Sequence, residues 1–145
     1  MLAFVRRLTV IAVFFAGAIV AAEADDSIAP ADAAAIQQVI QGQMNAFKVD
    51  DWNAAFAYAA PSIQPKFGSS QVFSQMVTQA YQPVYRPRGV EFRELKASEF
   101  GPTQEVHVIG PDGLSYLAYY TMEKQADGTW RISGCYLVRT DDQSV

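Results

Sequence analysis

The residues of this chain best placed by type and spacing to do chemistry are five of its seven tyrosines, a single histidine, a single cysteine, an adjacent carboxylate pair and two arginines around a proline. Tyr81, Tyr85, Tyr116, Tyr120 and Tyr136 carry phenols that, turned inward, would line a ligand pocket, since buried hydroxyls need partners. Ordinary core packing with the hydroxyls at its edge is the simpler alternative. Arg86 and Arg88 flank Pro87. Arg88 is placed as a candidate at the pocket mouth, where a guanidinium would hold an anionic group. Otherwise the two are surface arginines. His107 is the only histidine and so the first candidate general base near neutral pH. It alternates with Val106 and Val108, which turns it to an outer face beside Glu105. Asp50 and Asp51 would serve acid–base work as a pair, but they stand between two helical stretches, and helix capping accounts for both.

Cys135 sits mid-strand with no basic neighbour, the setting of a small buried hydrophobe and not of a reactive thiol. The sequence has no nucleophile elbow, zinc-protease helix, dithiol motif or glycine-rich phosphate loop. No catalytic residue is assigned. No metal site and no cofactor are expected.

The elements that must position these groups follow from the hydrophobic period. Asp32 stands where a helix N-cap belongs, and Ile36, Val39, Ile40, Met44 and Phe47 form one stripe of a helix reaching about Val49. Gln37, Gln38, Gln41, Gln43 and Lys48 take the opposite face. Trp52, Ala55, Phe56 and Ala59 mark a second helix, ended by Pro61. Ser69 caps a third, whose buried side is Val72, Phe73, Met76, Val77 and Ala80. With Pro83 and Pro87, the stretch from Tyr81 to Gly89 is expected not to be helical. The period then falls to two: Val90 and Phe92, then Val106 and Val108, then a long hairpin over Leu114–Arg139. Three N-terminal helices followed by four strands predict an α+β domain, helices on one face of a curved four-stranded antiparallel sheet.

The hairpin predicts its own register. If Ala126-Asp127-Gly128 is a three-residue loop with Gly128 left-handed, Gln125 faces Thr129. One face then carries Met122 with Ile132, Tyr120 with Gly134, Ala118 with Tyr136 and Tyr116 with Val138. The other carries Glu123 with Arg131, Thr121 with Ser133, Tyr119 with Cys135 and Leu117 with Leu137. The first is expected to be the core face. The second ends in Leu117, Tyr119, Cys135 and Leu137, an apolar cluster that suggests cover and makes a homodimer interface the candidate partner surface.

Arg6-Arg7, the apolar run Leu8–Ala22 and the small-x-small Ala22-Glu23-Ala24 read as a secretory signal peptide cleaved near Ala24. The apolar run is 15 residues, short of the ~20 that a spanning helix needs. The expected organisation is a signal peptide over 1–24, a linker over 25–31, one domain over 32–140 and a tail over 141–145. The protein is expected in the periplasm or outside the cell, without a stable membrane anchor after cleavage. Its net charge of −4 and lack of a basic cluster disfavour nucleic acid as a partner. A lone cysteine excludes an internal disulfide.

The runs AFKVDDWNAAFAYAAPSIQPKFG, YQPVYRPRGVEF, QEVHV and YYTMEKQADGTWRISGCYLV resemble a bacterial family catalogued as domain-of-unknown-function family 4864. The resemblance covers residues ~35–140 and is most specific at DGTWRISGCYLV. It brings no activity with it. It implies a fold similar to nuclear transport factor 2, a curved sheet wrapped around helices into a cone with a cavity. Enzymes of that fold, isomerases and dehydratases among them, place an Asp, His or Tyr in the cavity, but none of their catalytic positions maps onto this chain. Two function classes follow. One is a non-catalytic periplasmic binding or accessory module, with a small ligand in the cone or a protein partner on the outer sheet face. The alternative is a small cone-fold enzyme doing acid–base chemistry.

Overall fold

The computed structural model describes residues 27–140. The expected signal peptide and the C-terminal tail lie outside the described residues. Five helices precede four strands: α1 (Pro30–Lys48), α2 (Trp52–Ala57), α3 (Gln64–Phe67), α4 (Ser70–Ala80), α5 (Gln82–Tyr85), β1 (Gly89–Lys96), β2 (Thr103–Ile109), β3 (Ser115–Lys124) and β4 (Trp130–Arg139). The strands form one antiparallel meander in the order β1-β2-β3-β4. α1 lies against β4 and α5 against β2, which puts the helices on one sheet face. Among the described residues, no helix is long and apolar enough to cross a membrane.

The expected stripe of α1 is the spine of the core: Ile36, Ile40, Met44 and Phe47 are buried against Val106, Val108, Ala118, Tyr120 and Met122 of the sheet. Ser69 caps α4, its hydroxyl accepting from Val72 N at 3.2 Å. Asp51 caps α2, accepting from Ala54 N at 3.1 Å.

Four local expectations are corrected. First, α1 starts at Pro30, inside the expected linker, with the proline in its first turn, where a missing N–H costs nothing. Asp32 is therefore not its cap. Its carboxylate lies one turn in, accepting from Trp130 Nε1 at 3.0 Å and Lys124 Nζ at 3.3 Å, and so ties α1 to the base of the hairpin. Second, Asp50 does not cap α2: it is the left-handed residue that closes the other helix, α1, with Asp50 N donating to Phe47 O at 3.1 Å and Asp51 N to Ala46 O at 2.9 Å. Third, Gln43 is not on a solvent face: it is only 5% exposed, and its Nε2 donates to the Ala55 carbonyl at 3.1 Å. Fourth, α5 is a short helix in the stretch expected to be non-helical. Pro83 stands in its first turn, and Pro87 follows its last residue by two.

The hairpin holds the largest correction. Near the turn the expected register is observed. Gly128 is left-handed at φ 85°, Gln125 N donates to Thr129 O at 2.8 Å, and Glu123 faces Arg131 and Met122 faces Ile132. Ser133 is then an extra residue in β4, so that Thr121 pairs with Gly134 and every later pair moves by one. Tyr120 faces Cys135, Ala118 faces Leu137, Tyr119 faces Tyr136 and Leu117 faces Val138. Cys135 and Leu137 thereby move to the core face, where they pack against the core cluster. Tyr136 and Val138 move to the outer face, 53% and 44% exposed.

The bulge sits where β4 acquires a neighbour on its free edge. Ile132 N donates to Tyr58 O at 2.9 Å and Ala60 N donates to Ile132 O at 2.8 Å, so the segment after α2 pairs in parallel with the strand just before the extra residue. A second irregularity lies in β1 between Phe92 and Leu95. Such bulges bend and twist a sheet locally.

Candidate ligand cavity

Where α1, α4 and the α3 segment stand over the β3–β4 end of the sheet, they leave a half-open cavity of about 230 Å³. The helical stripes supply most of its wall: Phe47 from α1, and Phe73, Met76 and Val77 from α4. Phe56, Phe67 and Phe73 pack on one another with ring centroids 5.3 to 6.3 Å apart, a rigid aromatic side. The sheet contributes Tyr120 and the bulge itself, Ile132 to Cys135. Gly134 matters here because a Cβ at that position would stand 2.7 Å from Thr121 Oγ1. Only glycine passes the bulge under Thr121 without pushing it aside. Lys66 is also in the wall and is exposed to solvent.

Apart from Lys66, the polar atoms of the cavity are few and neutral. Tyr81 Oη donates to the Cys135 carbonyl at 2.9 Å. Tyr120 is 1% exposed, and its hydroxyl has no hydrogen-bond partner among the described residues. The polar groups that act on it are the Cys135 thiol, a weak acceptor, and Tyr81. Burial pushes both phenols above their ordinary 10.0, Tyr120 well above it. Burial likewise pushes the Cys135 thiol up to about 12. Low-dielectric surroundings penalise the charged form of each. Among the described residues that line the cavity there is no Asp, Glu or His.

The candidate residues divide accordingly. Tyr81 and Tyr120 line the cavity, whereas Tyr85, Tyr116, Tyr136 and Arg88 are not in its wall. Tyr85 donates to Asp50 Oδ1 at 2.6 Å and stacks on Trp52, centroids 5.5 Å apart. Arg86 lies over the Tyr85 ring at 4.0 Å, pairs with Asp50 at 3.1 Å, and donates to the Phe47 carbonyl. Asp50, at φ 53°, is thus the hub of a lock joining the end of α1 to α5. The Tyr85 hydrogen bond, with help from Arg86, holds its carboxyl below the ordinary 3.8. Tyr116 is taken by Asp112 at 2.7 Å in the turn before β3. Arg88 is exposed.

On the outer face Tyr136 stacks on Tyr119 with centroids 4.8 Å apart and planes 18° from parallel, and Tyr119 Oη donates to Glu105 at 3.3 Å. Of the four residues expected there, Leu117 and Tyr119 lie on that face, while Cys135 and Leu137 do not, for the bulge reverses them. His107 is half-buried and pairs with Leu117 across the strands. Among the described residues no group of three or more His, Cys, Asp or Glu is placed to hold a metal.

The expectation missed Cys135, Ser133 and Gly134 as cavity residues. Gly134 itself was the available signal, since glycine inside a strand marks a bulge or a close approach.

The family model described as "Domain of unknown function (DUF4864)" matches residues 29–145. No curated protein and no solved structure matches the chain.

Proposed function

The chain belongs to the DUF4864 family, a domain of unknown function, and from that premise we propose that it is an exported, non-catalytic binding protein whose cavity takes a small apolar or aromatic molecule. A family without an assigned activity leaves the site as the only argument. One observation carries the reading. The cavity is walled by aromatic and aliphatic side chains, and its interior ionisable groups, Tyr81, Tyr120 and Cys135, are all held in their neutral forms. Sites of this kind bind by burial and orient by a few polar atoms. Acid–base catalysis would need a group titrating near the working pH, and the described residues of this wall include no Asp, Glu or His. Export is supported by the N-terminal order of basic, apolar and small residues.

Native mass spectrometry of the protein purified from its own compartment tests the proposal. A mass increment that disappears on denaturation, on a chain starting near Asp25, is expected. A chain that retains Met1, or one that is ligand-free and takes up no small aromatic hydrocarbon at saturation, refutes it.

The outer face supports a second reading, a homodimer. Tyr136 and Val138 are exposed beside the half-buried Tyr119 and Leu117. Light scattering across a hundredfold concentration range should then show a dimer that Tyr136→Glu dissociates. A wild-type monomer throughout sinks it.

A further inference from the structure

The cavity wall contains one strong donor for which the fold offers no strong acceptor. Tyr120 of β3 lines the space, its side chain is buried, and its Oη has no well-formed hydrogen bond among the described residues, the Cys135 thiol being the one weak acceptor set against it. Buried hydroxyls are rarely left so. Its neighbours cannot readily supply the need: Tyr81 Oη is already donating to the Cys135 carbonyl, and a thiol is a weak acceptor. The Gln43 amide, also in the wall, donates to Ala55.

We infer that the ligand is a mostly hydrocarbon molecule of one or two rings with a neutral acceptor oxygen, such as a carbonyl, at its buried end, and that Tyr120 Oη donates to that oxygen. The inference rests on the cavity being a ligand site. Size sets the ring count. An apolar cavity of about 150 Å³ takes benzene, so about 230 Å³ takes somewhat more. Chemistry sets the acceptor. A phenol donates better than it accepts, because the ring withdraws its lone pairs, so the unmet need is for an acceptor. Charge sets the neutrality of that end. A carboxylate there would lose its hydration with no buried cation to replace it, since Lys66, the one cation in the described wall, is exposed to solvent. Tyr120 would be a binding and specificity residue, with no proton leaving it.

The test is a matched pair of probes, 1-indanone and indane, which share a skeleton and differ by the carbonyl. Calorimetric titration of the wild type should detect both. Tyr120→Phe should weaken indanone roughly five- to a hundredfold, the effect of leaving a buried polar partner unpaired, and leave indane unchanged or tighter. The carbonyl stretch of isotope-labelled indanone bound to the wild type should fall below its value in hexane, a readout that survives if the variant does not fold. An unshifted stretch, or equal effects of Tyr120→Phe on both probes, overturns the acceptor inference alone. Failure of both probes to bind the wild type overturns the cavity reading as well.

Discussion

Replacing Tyr120 by Phe should stabilise the ligand-free domain. The ring stays where it is, and only the hydroxyl leaves. That hydroxyl is buried and without a hydrogen-bond partner among the described residues, and a buried polar group left unmade costs about 1–3 kcal/mol. Against the gain stands the loss of a few dispersion contacts and of whatever the Cys135 thiol contributes as a weak neighbour. The net expectation is a gain of about 1 kcal/mol, which for a domain of this size moves Tm by about 4 °C. Tyr81→Phe is the matching control with the opposite sign. Its hydroxyl donates at 2.9 Å to the Cys135 carbonyl, so its removal should destabilise by about 1 kcal/mol. Urea unfolding followed by tryptophan fluorescence, with unchanged slope in both variants, measures the two differences. If Tyr120→Phe proves destabilising by about 1 kcal/mol or more, the hydroxyl is satisfied in the native protein and the reasoning fails. A stabilising result would place Tyr120 among residues kept at the expense of stability because a site needs them.

Gly134→Ala should destabilise by about 1–3 kcal/mol through overpacking, because its Cβ would meet Thr121 Oγ1 at 2.7 Å. Adding Thr121→Ala should recover part of the loss, and strictly additive effects in the double-mutant cycle would disprove the clash. Hydrogen bonds from Trp130 and Lys124 hold the Asp32 carboxyl below its ordinary 3.8. The sign follows: its contribution to stability is present above the unfolded value and is lost as the pH falls through the folded one. Asp32→Asn should therefore flatten the stability profile below about pH 4, and an unchanged acid limb would refute the coupling. Cys135, with its thiol pushed up to about 12, should resist thiolate-specific reagents at pH 8 in the native state and label readily in denaturant. Fast native labelling would contradict its setting.

The helix-then-sheet order, the α1 stripe and the first pairs of the hairpin were legible in the sequence because each is set by local period or by the chemistry of a short turn. The bulge was not. Its setting involves Ile132, whose backbone bonds to Tyr58 and Ala60 some seventy positions earlier, and no local pattern announces such a partner. The same applies to Gln43, which is buried because the Ala55 carbonyl happens to lie beside it. Tyr85 and Tyr116 looked like pocket tyrosines, but each has a carboxylate within reach, Asp50 and Asp112. Tyr81 and Tyr120 have none, and they are the two that line the cavity. Asp112 stands four residues before Tyr116 and is a local signal, but Asp50 stands thirty-five before Tyr85, so only the fold brings that pair together. The short helix α5 is hidden in the sequence because a proline that breaks a helix interior favours a helix start, and Pro83 stands in the first turn.

Ser133 acts on the strand as a frameshift acts on a reading frame. Every residue from Gly134 onward keeps its identity but changes the side from which it is read. Deleting Ser133 would close the bulge and leave every pair from Thr121–Gly134 onward on the face it already has. Keeping all the residues but ironing the bulge out is what would exchange the faces, turning Cys135 and Leu137 to solvent and Tyr136 and Val138 inward. The cavity wall and the outer surface therefore depend together on one residue being left out of the pairing. A relative one residue shorter between Ile132 and Gly134 would carry the same inside and the same outside on a straighter strand.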